Sequence, residues 1–361
     1  MSAREPSLPA ADDLGILRAV CDDAGLLGRF NALVSERLAP AKCFHVACAV
    51  SHDYLFEFLL LYHSLAASWK SFPYLVHPFA TDARTFEALE ALGLPLARPW
   101  LLPPEDNVTW ATHAASKIRI VTVGGLDEAV VSDLDNLFVG EVPELFGALE
   151  ASDFVFVGSP CDRQILQTNL WGFRRTPAAV EFASDWHRES VPAHRTFSDA
   201  AGLPFALLRH QSHANLKVRA LVVPRADGRR FHPCPYDVQA NIRPLTLVQD
   251  EMGFYEPQMG RAKVIHFGGI RAEGSQSAAA RMRVLAKRFP ECQAVFPLYL
   301  RLANAAAGTL GRPQIRWSRL FLLYLAAFGA FYHRVHARMP RRAREMRNVI
   351  HRAEAAADGN R

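Results

Sequence analysis

Apolar residues recur at helical spacing over residues 11–36, at Leu14, Leu17, Val20 and Cys21 and then at Leu26, Leu27, Phe30, Leu33 and Val34, which predicts one or two N-terminal helices closed by Pro40. From Cys43 the pattern changes. Cys43 to Val50 is a short apolar run that ends in the polar Ser51-His52-Asp53, and helical spacing returns from Tyr54 to Trp69. That reads as a buried strand, a loop and a helix. Tyr74 to Phe79 repeats the strand, Thr81-Asp82 the helix start, and Phe86, Leu89 and Leu92 mark one apolar helix face. A short helix is expected from Ser116 to Val121, and a further buried strand at Ala129-Val130-Val131 stops at Ser132-Asp133-Leu134-Asp135. Strands alternating with helices predict parallel pairing in an α/β sheet, where ligands bind beyond the carboxyl ends of the strands. Both Ser51-His52-Asp53 and Asp133-Leu134-Asp135 fall at such ends.

The second half offers strand candidates at Phe154 to Val157, Thr168 to Phe173, Val218 to Val223 and Lys263 to Phe267, with a helix opened by Thr176-Pro177. A Pro-rich irregular stretch, residues 224–257, precedes the last of these strands, and a helix is expected from about Ser275 to Phe289. Long irregular segments in compact proteins often cover a site. Near the C-terminus, Leu320 to Tyr332 is an uninterrupted run of 13 apolar residues. At about 1.5 Å per residue it reaches roughly 20 Å, short of a hydrocarbon core of about 30 Å. Arginines 312, 316 and 319 precede it and 334, 338, 341, 342, 344 and 347 follow. That arrangement suits a helix lying in an anionic membrane surface, and equally a terminal helix packed on the core or on a second subunit.

Charge sharpens the division. The 361-residue chain carries a formal +5, but residues 311–361 alone hold 11 Arg against 3 acids, so the body is mildly acidic at −3. Nucleic-acid binding, which needs its positive face on the fold itself, is disfavoured. Six scattered cysteines include no C-x-x-C pair, so neither a zinc site nor a disulfide framework is written, and buried reduced thiols are expected. Met1 to Asp13 is polar and lacks an apolar core of the secretory type, which leaves a reducing, cytoplasmic compartment as the expectation.

The chemistry concentrates at Asp133-Leu134-Asp135. Two carboxylates at i and i+2 straight after a buried strand can be aimed at one hard divalent cation, Mn²⁺ or Mg²⁺, with a diphosphate completing the shell. An isolated D-x-D is also an ordinary turn. A partner raises the metal reading: the apolar strand Lys263-Val264-Ile265 delivers His266, and Gly268-Gly269 then allow the backbone to approach a phosphate closely.

In this combination the sequence resembles the nucleotide-diphospho-sugar glycosyltransferases of the GT-A fold, most closely the family-8-like group, over roughly Cys43 to Ala272. The resemblance implies an α/β, Rossmann-like fold with a mixed central sheet. Together with the patterning at the two ends it divides the chain into an N-terminal helical extension at 1–40, a GT-A domain at 41–292 and a basic, apolar helical tail at 293–361. Ser51, Asp53 and Tyr54 look like the nucleotide-binding turn, and Lys117 like the basic residue before the metal strand. Asp133, Asp135 and His266 match the Mn²⁺ ligands. Asn169, in Asn169-Leu170-Trp171-Gly172-Phe173, resembles the donor-sugar segment. His210 and Gln211 fall at the catalytic D-Q pair of the family, with His210 in place of its Asp. Gly268, Gly269 and Arg271 are similar to the diphosphate loop, although the family's Lys is here Ala272, with Arg271 one position early.

The activity so implied is metal-dependent transfer of a hexose from a nucleotide sugar, a UDP-sugar first, to a glycan or a lipid-linked acceptor, with peripheral attachment at the cytoplasmic membrane face. Two other readings fit. A degenerate transferase could bind nucleotide sugar or act as a membrane scaffold without turnover. A haloacid-dehalogenase-type phosphatase would use Asp133 as nucleophile, though Leu137 stands in the place of its usual Thr or Val.

Overall fold

The computed structural model describes residues 43–103, 114–161, 164–190, 198–210, 215–221, 240–241, 263–267, 272, 279–282, 295–325 and 327. The helices expected within 11–36, the stretch 224–257 apart from residues 240–241, and all but residues 279–282 of the helix expected over 275–289 lie outside the described residues.

The chain enters as strand β1 (Phe44–Val50), one turn of 3-10 helix (His52–Tyr54), helix α1 (Leu55–Ser68), strand β2 (Tyr74–Ala80), helix α2 (Ala83–Ala91) and the short strand β3 (Trp100–Leu101). The helix start read at Thr81-Asp82 is a true cap: Asp82 Oδ1 accepts the Thr85 amide at 2.7 Å. A second 3-10 turn (Ser116–Arg119) runs into α3 (Ile120–Val123), β4 (Glu128–Ser132), β5 (Asn136–Phe138) and α4 (Pro143–Leu149). Then come the hairpin β6 (Phe154–Cys161) and β7 (Gln164–Arg174), helices α5 (Pro177–Ser190) and α6 (Ser198–His210), strands β8 (Val218–Leu221), β9 (Ala240–Asn241) and β10 (Val264–His266), and helix α7 (Val295–Thr309).

Seven of these strands form the main sheet in the order β3-β2-β1-β4-β7-β6-β8. β1 pairs in parallel with β2 and β4, as do β2 with β3 and β6 with β8, while β7 runs against both its neighbours. This is the mixed α/β sheet expected from the sequence. The apolar runs have a direct cause, since strands covered on both faces need no polar side: all seven residues of β2 are buried. On the β6–β7 side Phe154, Phe156, Trp171, Phe182 and Trp186 meet ring to ring, with centroids 5.0–6.2 Å apart.

A smaller sheet, β5-β10-β9, lies beside α1. Helix α1 buries ten of its residues, because β5 and α7 pack against it as well as the main sheet. Ser64 of α1 receives the Phe138 amide of β5 on its hydroxyl at 3.0 Å, tying the two together. Helix α7, within the segment assigned to the tail, contributes Tyr299, Leu302, Ala303 and Ala306 to the core. Residues 319–325 are helical, with Leu320 78% and Leu323 65% exposed. Among the described residues no helix is long and apolar enough to cross a membrane. Cys43 and Cys48 are free thiols, half-buried and buried, and burial pushes both up from their ordinary titration range.

Candidate active site

Parallel pairing of β1 with β4, with Ala47 opposite Val131, brings the loops after both strands to one edge of the sheet. Ser51 opens the 3-10 turn after β1, accepting the Tyr54 amide at 2.9 Å, and Asp53 is exposed within that turn. After β4, Asp133 and Asp135 occupy the turn into β5. That turn is clamped from below. The Asp133 amide donates to the Asn169 carbonyl at 2.8 Å, and the Asn136 side-chain amide donates to the same carbonyl at 2.7 Å and to Ser132 Oγ at 2.9 Å. Asn169 itself is buried and donates its side-chain amide to Asn136 Oδ1 at 3.2 Å. Asn169 therefore holds the aspartate turn through its carbonyl and its side-chain amide.

The third residue arrives through the small sheet. β10 runs antiparallel to β5 with His266 opposite Asn136, and the Phe267 amide donates to the Asp135 carbonyl at 3.0 Å. His266 Nε2 consequently lies 3.3 Å from Asp135 Oδ1. One ligand atom from each of Asp133, Asp135 and His266 falls within 4.8 Å of the others. Two carboxylate oxygens and an imidazole nitrogen are a donor set that suits Mn²⁺, so residues predicted 131 positions apart in sequence do meet.

Lys117 reaches the same place from the 3-10 turn before α3. Its Nζ stands 2.5 Å from Asp133 Oδ1 and 2.7 Å from Asp199 Oδ2, with the lysine side chain only 6% exposed. Burial works against the ammonium, but the two carboxylates outweigh it and hold Lys117 protonated far above its usual range. Asp133 is raised as well, which for an acid disfavours the charged form. Burial pushes its carboxyl up to about 6, Lys117 opposes, and Asp135 and Asp199 add to the rise. Two carboxylates thus share one buried ammonium while Asp135 adds a third negative charge beside Asp133, an arrangement that a divalent cation would relieve.

Asp199 was not singled out in the sequence. It is the second residue of α6, where an acid reads as an ordinary complement to the helix dipole, and only the fold aims it at Lys117. His210, at the other end of α6, is buried with Nε2 2.7 Å from Asp185 Oδ2 of α5 and its ring edge-on to Phe182 at 5.4 Å. Despite partial burial, His210 and Arg188 beside Asp185 hold that carboxyl below its usual range. Gln211, Gly268, Gly269 and Arg271 lie outside the described residues.

No family model matches the sequence, and no curated protein matches it. Similar solved structures include glycosyltransferases. The galactosyltransferase LgtC, in complex with donor and acceptor sugar analogues, shares 10% identity over 72% of this chain and 95% of its own, at a TM-score of 0.46. The bifunctional glycosyltransferase WbbM in its apo form shares 12% over 64% of this chain, which spans 47% of WbbM, at 0.43. GlyE of Streptococcus pneumoniae TIGR4 shares 9% over 76% and 66% of the two chains, at 0.44. Likeness at this level carries no part of the functional reading, which rests on the site.

Proposed function

We propose that this chain is a metal-dependent glycosyltransferase that moves a hexose from a nucleotide sugar, a UDP-sugar first, to a glycan or lipid-linked acceptor. The observation that carries it is the convergence of Asp133, Asp135 and His266 at the carboxyl edge of the sheet, beside a buried lysine. Residues 41–292 are taken as the catalytic unit, with 1–40 and 293–361 as its extensions.

In this reading Asp133, Asp135 and His266 hold Mn²⁺ or Mg²⁺. The cation, when bound, neutralises charge that builds on a departing diphosphate. Lys117 places a second positive charge at the same edge, and Asp199 fixes its position. Ser51, Asp53 and Tyr54 bind the nucleoside end of the donor, and Gly268, Gly269 and Arg271 the diphosphate. Asn169 keeps the aspartate turn in shape below the sugar. His210 and Gln211 remain the candidates for contact with the reacting sugar. The phosphatase reading has no use for His266 against Asp135, whereas the transferase reading needs it.

We infer further that the C-terminal segment is a peripheral anchor, taken to lie on the cytoplasmic face: Leu320 and Leu323 are exposed, and Arg312, Arg316 and Arg319 are near them in sequence. Anionic headgroups match those arginines, and the leucines match the acyl boundary.

Calorimetry tests the donor site, with UDP, GDP and their common sugar conjugates titrated in Mn²⁺ and in EDTA. Metal-dependent binding of one nucleotide sugar, lost in Asp133→Ala/Asp135→Ala, is the expected result. A folded protein that binds none of them refutes the transferase, and binding without turnover on any acceptor leaves the scaffold.

A further inference from the structure

Two buried charges stand behind the metal group without belonging to it. Glu57 of α1 is 1% exposed and Arg281, in the helical residues 279–282, is wholly buried. Glu57 Oε1 accepts the amide of Ala272 at 3.0 Å, a bond between residues 215 positions apart. The guanidinium carbon of Arg281 lies 4.5 Å over the ring of Phe267. Tyr299 of α7 sets its own ring edge-on to that of Phe267, with centroids 5.8 Å apart. Burial raises the Tyr299 hydroxyl, Arg281 opposes the rise and Glu57 adds to it, so both charges are close to this one residue.

Burying an acid and a guanidinium is a poor way to gain stability, because apolar side chains of similar volume serve as well or better. What the two groups touch is more informative than their charge. Phe267 follows His266 directly, and its amide holds the Asp135 carbonyl. Ala272 stands five residues further along.

We propose that Glu57 and Arg281 are positioning residues for the metal site: they fix Ala272 and Phe267, on either side of residues 268–271, and so hold His266 against Asp135. This rests on the metal reading of Asp133, Asp135 and His266. Partners one step behind the ligands typically change metal affinity by about 10–100-fold when removed.

The test is calorimetric titration of Mn²⁺ into the full chain as wild type, Glu57→Ala, Glu57→Gln and Arg281→Lys, each checked for fold by near-UV circular dichroism. Glu57→Ala and Arg281→Lys should weaken Mn²⁺ by about tenfold or more. Glu57→Gln, which keeps the oxygen that receives the Ala272 amide, should restore wild-type affinity. A purely structural role would not separate Gln from Ala in metal affinity between two folded variants. Should Glu57→Ala fail to fold, Arg281→Lys decides. Folded variants that bind Mn²⁺ as wild type does overturn the brace while leaving the metal site intact. A wild type that binds no Mn²⁺ removes the metal reading, and the brace with it.

Discussion

Replacing Lys117 by methionine keeps the volume of the side chain and removes its charge, leaving Asp133 and Asp199 without the ammonium that stands 2.5 and 2.7 Å from them. Breaking a buried charged pair on one side typically costs about 3–5 kcal/mol, since the abandoned charge stays buried. Here the Asp199 side chain is only 8% exposed, so solvent relieves it little, while Asp133 at 29% is relieved more. The loss should therefore sit at the lower end, about 3 kcal/mol, roughly a hundredfold in the folded-to-unfolded ratio. Urea unfolding in EDTA measures it. Asp199→Asn added to Lys117→Met removes one of the abandoned charges, so the double variant should be more stable than the sum of the two single losses predicts. Adding Mn²⁺ should raise the melting temperature of Lys117→Met by more than that of wild type, because the bare Asp133 gains most from a cation. Losses that add to within about 0.5 kcal/mol, the margin expected of independent sites, would refute the single network of Lys117, Asp133 and Asp199.

Acid should weaken the sheet through a histidine pair. Trp100 Nε1 donates to His77 Nδ1 at 2.6 Å, and His77 Nε2 lies 2.8 Å from His45 Nδ1; burial lowers both histidines, most strongly His77. The unfolded chain takes up these protons first, near pH 6.5, so stability present above that pH is lost below it, by up to about 1.4 kcal/mol per pH unit for each histidine. Urea midpoints at pH 7.5 and 5.5 check the slope, and a His77→Gln variant with an unchanged slope would exclude the pair as its source. Gly202→Ala should cost about 1–3 kcal/mol by overpacking, because a Cβ there would stand 2.8 Å from the backbone nitrogen of Ser190; thermal melts that match wild type would show that α5 and α6 can part freely. Truncation before Arg312 should abolish sedimentation with anionic vesicles and leave donor binding intact, and unchanged sedimentation would discard the membrane anchor. His266→Ala should weaken Mn²⁺-dependent donor binding, and wild-type metal dependence would remove His266 from the site.

What the sequence made legible follows from which physical constraint each residue carries. β1, β2 and β4 are largely buried, so they read as mainly apolar runs with His45 and His77 paired among them, and the carboxylates at the end of such a run stand out against it. β5 and β10 are three residues each and carry no period of their own; Lys263 to Phe267 was readable as a strand, but its pairing with Asn136–Phe138 was not. Yet that pairing, with His266 opposite Asn136, is what turns three dispersed residues into a site. Asp199 and Glu57 were invisible for a related reason. An acid at the start of a helix and an acid within an apolar helix each have ordinary explanations, and only distances to Lys117 and Ala272 set those explanations aside. His210 marks the opposite limit: a motif position assigned it a role, while its Nε2 lies against Asp185 of the neighbouring helix. Motif order thus located the strand ends that face a ligand, and the side chains that hold those ends in place had to come from the packing, where Glu57 of α1, Asp199 of α6 and Arg281 bring buried charges to bear on the ligand-bearing turns.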